Sequence, residues 1–128
     1  VMGVRLQAGR PQLGEDLVAD HLQRLGWTVV QRNWRTRHGE IDLIAVDGTT
    51  LVIVEVKTRA SHFYGASAAV AVTPEKLARM RRLARLWLAE QENWWPRVRF
   101  DVVAVQLDSS DPEDLERAGV EHLRGVVE

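Results

Sequence analysis

Glu40-Ile41-Asp42-Leu43-Ile44-Ala45-Val46 and Leu51-Val52-Ile53-Val54-Glu55-Val56-Lys57 are joined by Asp47-Gly48-Thr49-Thr50. Both runs are rich in β-branched residues, and Asp-Gly between them is a strong hairpin signal, so they read as adjacent antiparallel strands. Side chains alternate across a strand. Glu40, Asp42, Ile44 and Val46 therefore share one face, as do Leu51, Ile53, Glu55 and Lys57. A two-residue loop pairs Val46 with Thr49 and sets Asp42 opposite Ile53. A four-residue loop pairs Val46 with Leu51 and sets Asp42 opposite Glu55. In either register Glu40, Asp42, Glu55 and Lys57 leave the same side of the sheet, and only an odd loop or a bulge separates them.

Acids crowded beside Ile44, Leu51 and Ile53 repel one another and resist desolvation. A divalent cation that prefers hard oxygen ligands, Mg²⁺ or Mn²⁺, resolves that conflict. A salt-bridge cluster in which Lys57 pairs with Glu40 or Glu55 accounts for the same residues, and spacing alone leaves both readings open. Lys57 adds one clue: only it and Lys76 are lysines among seventeen basic residues. A compact ammonium approaches a water or phosphoryl oxygen in a way guanidinium does not.

Upstream, Leu13, Leu17, Val18, Leu22 and Leu25 recur at helical spacing, with Pro11 in the first turn and Gly26 as a stop, so a helix is expected from Pro11 to Leu25. Glu15 lies at the edge of its buried face, while Asp16 and Asp20 point to solvent. Trp27-Thr28-Val29-Val30 reads as a short strand. Downstream of a loop (Thr58 to Gly65, with His62-Phe63-Tyr64-Gly65 beside the site) and an apolar stretch (Ala66 to Val72), Thr73-Pro74-Glu75 opens a helix that runs to about Asn93. Leu77, Met80, Leu83, Ala84, Trp87 and Leu88 form its apolar face, with Arg79, Arg81, Arg82 and Arg85 opposite. Val98 to Val105 is a further strand, parallel to the earlier one because a helix intervenes. Asp108 to Asp114 reads as a polar turn into a short helix or irregular tail. The order α-β-β-β-α-β gives an α/β fold, a mixed sheet flanked by helices.

The 128 residues suit one domain spanning the whole chain, with 1–10 flexible and 106–128 a partly ordered acidic tail. The formal net charge of −1 hides a basic body and an acidic tail, an arrangement compatible with an anionic partner. Without cysteine there is no disulfide scaffold, thiolate metal site or cysteine nucleophile. No run approaches the ~20 apolar residues of a membrane span. Val1 to Arg10 lacks the apolar stretch of a signal peptide, so a cytoplasmic location is expected. Arg32, Arg35, Arg37 and His38 are placed to clamp phosphate, and Lys76 opens a helix where an anion site is natural. Trp94-Trp95 either stacks on bases or packs. Asp101 is expected to pair with Arg99, and His21 and His122 read as structural or exposed.

Arg32-Asn33-Trp34-Arg35, Gly39-Glu40-Ile41-Asp42-Leu43-Ile44-Ala45 and Val54-Glu55-Val56-Lys57-Thr58-Arg59 resemble the YraN-like family of small bacterial proteins. Gly14-Glu15, Lys76 and Arg99-Phe100-Asp101-Val102-Val103 fit it as well. The resemblance covers Arg10 to Val105. That family is similar to the restriction-endonuclease-like PD-(D/E)xK superfamily, and most closely to archaeal Holliday-junction resolvases. The resemblance implies a metal-dependent phosphodiesterase site. Asp42 and Glu55 would be its metal-binding acids, Lys57 its catalytic lysine and Glu15 a further ligand from the helix. Glu40 would support the ligands from outside, and the Val56 carbonyl would supply an oxygen. Arg32, Arg35, Arg37, Arg59 and Lys76 would face nucleic acid. The proline of the motif's name is absent, Ile41 standing before Asp42. The function expected is cleavage of branched or otherwise structured DNA, with a homodimer plausible because a four-way junction has two symmetric cleavage points. The rivals are a DNA-binding module without catalysis and a partner-binding protein whose acids and lysine form a structural ion cluster.

Overall fold

The Asp47-Gly48 turn forms, with Gly48 at a φ of 63° that suits a residue without a Cβ. Around it, a computed structural model describes residues 13–59, 72–108 and 110–126. In chain order the elements are α1 (Leu13–Arg24), β1 (Thr28–Thr36), β2 (Gly39–Asp47), β3 (Thr50–Arg59), α2 (Pro74–Ala89) and β4 (Arg97–Gln106). A 3₁₀ turn (Leu115–Arg117) and β5 (Gly119–Leu123) follow. The five strands lie in sequence order in one mixed sheet. β1, β2 and β3 form an antiparallel meander, β4 runs parallel to β3 after the α2 crossover, and β5 closes the far edge antiparallel to β4. This is the α/β arrangement expected, a mixed sheet flanked by two helices and consistent with a restriction-endonuclease-like fold.

The helices cover opposite faces. Val18, Ala19 and Leu22 of α1 bury against Leu43, Ala45, Val52, Val54, Val103 and Val105. Met80, Leu83, Ala84 and Trp87 of α2 bury against Ile41, Ile44, Leu51 and Ile53. Each of these larger side chains contributes roughly 1.5–3 kcal/mol by leaving water. α2 starts as its sequence dictates: Thr73 Oγ1 accepts from the Lys76 N–H at 3.1 Å, and Pro74 occupies the first turn. Among the described residues no helix is long and apolar enough to cross a membrane.

Four expectations are corrected. α2 ends at Ala89, short of Asn93, because Glu90 takes over the cap through bonds to the Trp87 and Leu88 carbonyls. The strand after α1 continues to Thr36, so Arg32 and Arg35 lie within β1. The acidic tail contains β5, held to β4 from Gln106–Gly119 to Val102–Leu123. Finally, strict alternation fails on β2, where Ile41 and Ile44 are both buried under α2. The cause lies on β1, where Asn33 adopts a left-handed φ of 52° opposite Asp42 and both strands rotate by one residue. The expected flexibility of 1–10 and the His62-Phe63-Tyr64-Gly65 loop lie outside the described residues.

Asp101 is the sole buried charged side chain among the described residues. Arg99 donates to both its oxygens at 3.0 and 3.2 Å, as expected. His122 of β5 lies 2.8 Å from Oδ2, and the Gly125 N–H donates to Oδ1 at 3.0 Å. His122 in turn meets His21 of α1 at 3.0 Å, so both histidines are structural. These bonds outweigh the burial that opposes a charge, and they hold the Asp101 carboxyl below its ordinary value.

Candidate functional site

The β2–β3 ladder runs from Asp47–Thr50 to Leu43–Val54 and then opens. This is the register that brings Asp42 towards Glu55. Where the ladder ends, the Val56 N–H turns to the side chain of Asp42 and donates to Oδ2 at 2.8 Å. The strands therefore splay with their backbone polarity satisfied by a carboxylate.

Both helices direct their first turns at this opening. Glu15 comes from α1, whose approach depends on Gly14: a Cβ there would sit 1.8 Å from Thr58 Oγ1. Lys76 comes from α2 and places Nζ 3.2 Å from Glu55 Oε2, with both side chains largely buried. Gly39, at a φ of 137°, ends the Arg37-His38 turn, which Thr36 Oγ1 ties by accepting from the His38 N–H at 2.9 Å. The result is an open cleft of about 430 Å³ lined by Arg37, His38, Gly39, Glu40, Asp42, Glu55 and Arg79.

Of its lining residues, Glu40 and Asp42 each bring one carboxylate oxygen within 4.8 Å of the other and of an oxygen of Glu15, which reaches them from α1. Octahedral Mg²⁺–O bonds of about 2.0–2.1 Å place ligand oxygens roughly 3–4 Å apart, so the spacing suits a shared ion. Glu15 Oε1 is buried and has no hydrogen-bond partner among the described residues. Burial pushes the Glu15 carboxyl up, Glu40 adds to the effect, and a hydrogen bond from Asn33 works against it. Asp42 is pushed up to about 7, first by burial and then by Glu55, Glu15 and Glu40, against the Val56 hydrogen bond. Crowded oxygens, a buried lone pair without a donor and carboxyls that resist ionisation form a donor set that fits a hard divalent cation.

The sequence-derived residues are thus distributed as follows. Glu15, Glu40 and Asp42 come together, Glu40 more centrally than expected. Glu55 lines the same cleft, held by Lys76 rather than by Lys57. Lys57 is half-buried two residues beyond Glu55, on the face that β3's uninterrupted alternation gives both. Val56 contributes its N–H to Asp42. Arg32 pairs with Asp16, which is thereby drawn from solvent, and Arg35 lies 3.5 Å from Glu40. Arg37 stands at the cleft, whereas Arg59 lines a different cavity with Gln106 and Glu121, away from the acids. Sequence reasoning missed Asn33 as a contact of Glu15; the tolerance of asparagine for left-handed backbone was the available signal. It also left Arg79 on a general arginine face rather than in the cleft.

A sequence profile described as "Uncharacterised protein family UPF0102" matches residues 14–105. The chain belongs to that family. It is 46% identical to a UPF0102 protein of Mycolicibacterium vanbaalenii over 125 residues, covering 98% of each chain. A UPF0102 protein of Mycolicibacterium smegmatis is 49% identical over 111 residues, covering 84% of this chain and 89% of its own. One of Frankia casuarinae is 49% identical over 115 residues, covering 90% and 92%. The stretch matched to UPF0102 begins at the glycine before Glu15 and contains every residue of the cleft, while His122 and β5 lie beyond it.

Proposed function

We propose that this chain is a metal-dependent nuclease that hydrolyses DNA phosphodiester bonds, resolvase-like in reading structure rather than sequence. The observation that carries the reading is the trio Glu15, Glu40 and Asp42, gathered at the opening of β2 from β3 with Glu15 Oε1 buried and without a donor. Glu15, Glu40 and Asp42, with Glu55 beside them, would hold Mg²⁺ or Mn²⁺. Such an ion supplies Lewis-acid neutralisation of a phosphate and a lowered pKa for water.

The chain's own groups do the rest. Val56 N–H holds the Asp42 carboxylate in place through Oδ2. Lys76 holds Glu55 against the wall of the cleft. Lys57 offers a compact positive charge that orients the attacking water and offsets charge developing on the phosphate. Arg37 and Arg79, on the rim, position the flanking phosphates.

The test is cleavage of branched, flapped and single-stranded DNA in Mn²⁺ by the wild type, Asp42→Asn and Lys57→Ala. Rates should fall at least about 100-fold in both variants, the scale of losing one electrostatic or general-acid–base contribution. Equal cleavage by all three proteins would assign the activity to a contaminant. The Glu55–Lys76 pair favours a second reading, a structural ion cluster. A metal titration followed by thermal shift separates the two, because an ion that binds only the folded site raises Tm and an ion cluster leaves it unchanged.

A further inference from the structure

Five tryptophans populate this chain, and Trp94 is 82% exposed. Its neighbour Trp95 packs on Trp87 with ring centroids 5.8 Å apart, and Trp27 and Trp87 are buried. Leaving one indole in water forgoes a contribution that burial gives the others. Trp94 follows α2, on which Arg79, Arg82 and Arg85 are exposed. From Lys76 to Arg97 there are six basic residues and two acidic ones.

This positive face is continuous with the cleft. Arg79 lines it directly, and Arg82 Nη2 lies 3.1 Å from Nδ1 of His38, another lining residue. Along a helix rising 1.5 Å per residue, the distance from Arg79 to the end of α2 is about 15 Å, and the packing of Trp95 on Trp87 keeps Trp94 at that end. That length suits a few extended nucleotides rather than one.

We propose that the arginine face of α2 and the Trp94 indole form a track for unpaired nucleotides, with phosphates on Arg79, Arg82 and Arg85 and a base stacked on Trp94. A duplex hides its base faces and could use only the arginines. A single strand presents a π-face at every nucleotide, which an exposed indole accepts whatever the sequence. A protein interface closes around a desolvated apolar centre, and on α2 Leu86 is the only large apolar residue left exposed to build one. The proposal rests on the nuclease reading for the meaning of the cleft, but binding requires no cleavage.

The experiment is fluorescence anisotropy in EDTA with a labelled oligo-dT and a blunt duplex, supported by analytical ultracentrifugation. Trp94 is exposed, so Trp94→Ala is expected to fold. It should weaken oligo-dT binding about 5- to 150-fold and leave duplex binding within about twofold, while Trp94→Phe recovers most of the loss. The double variant Arg82→Ala/Arg85→Ala should weaken both probes and reduce the single-strand salt slope by about 1.4. Unchanged oligo-dT affinity in Trp94→Ala overturns the track, as does a change in self-association in place of the binding loss. If the track fails while Mn²⁺-dependent cleavage persists, the nuclease reading stands. If oligo-dT binds as described without cleavage, the track stands alone. If the wild type binds neither probe, the track falls, and Mn²⁺-dependent cleavage alone then decides the nuclease reading.

Discussion

Asp42 meets two opposing demands: it must accept the Val56 N–H where the ladder opens, and it must share buried space with Glu15, Glu40 and Glu55. The first favours a charged carboxylate and the second a neutral one; burial, reinforced by the neighbouring acids, wins and pushes it up to about 7. The consequence for stability has a definite sign. In metal-free protein the folded carboxyl keeps its proton up to about 7, whereas the unfolded one loses it near 3.8. The folded state therefore binds more protons across that window, and stability falls as pH rises through it. A shift of about three units corresponds to at most about 4 kcal/mol, reduced by the partial exposure of Asp42. At roughly 3–5 °C per kcal/mol, Tm in EDTA should drop by about 5–15 °C between pH 4 and pH 8. Asp42→Asn keeps an oxygen for Val56 and carries no charge, so its curve should be flatter, as should that of the wild type in saturating Mg²⁺. A wild-type curve in EDTA no steeper than that of Asp42→Asn refutes the crowding.

Among the elements, β5 is tied inward by two side chains, Leu123 packed against Val102 and His122 on the other face. His122 carries β5 onto Asp101, which is fully buried, and onto His21 of α1. Removing it in His122→Ala strips a charge-assisted bond from a buried carboxylate, a loss of roughly 1.5–3 kcal/mol. Amide exchange in Gly119–Leu123 should accelerate about 10- to 150-fold, while α2, packed on the other face, should be unaffected. Acid acts in the same direction. Burial, then His122 and Arg124, hold His21 below its ordinary value, so the unfolded chain takes up that proton first and stability is lost as pH falls through about 6.5. β5 also shows where sequence legibility ended. The β2–β3 pair and the start of α2 were readable because Asp47-Gly48 and Thr73-Pro74 carry their own backbone preferences. The second half of β1 and all of β5 are edge segments whose polar side chains show no apolar period; pairing with β2 and β4 makes them strands. In the site, alternation and register brought Asp42 towards Glu55. The Asn33 rotation that gathers Glu40 with Glu15, and the reach of Lys76 across to Glu55, depend on contacts that no local pattern encodes.

At the scale of the whole molecule, charge is divided between the two helical layers. Leu107 and Leu115 anchor the start of the acidic tail in the cluster beneath α1, whereas the arginines of α2 lie across the sheet. Within the tail, Arg117 lies 3.2 Å from Asp108 and 3.3 Å from Asp114, so part of its negative charge is neutralised locally. The tail from Leu107 to Ala118 is therefore held on the α1 side of the sheet, and only Leu123 and Val126 pack against Val102 on the other face. A sheet and a helix layer about 10–12 Å thick intervene, which exceeds the Debye length of about 8 Å at physiological ionic strength. An anion bound along α2 is thus screened from the tail in the cell and exposed to its repulsion only when salt is scarce. Neutralising two tail acids in Glu113→Gln/Glu116→Gln should leave oligo-dT affinity within about twofold at about 0.15 M salt. It should strengthen binding several-fold near 0.01 M, where the screening length grows to about 30 Å. Removing two α2 arginines should weaken binding at both ionic strengths, because those charges touch the phosphates directly. A gain of more than about fivefold from the tail variant at 0.15 M would mean that the acids compete at the α2 surface itself, contrary to their place on the far side of the sheet.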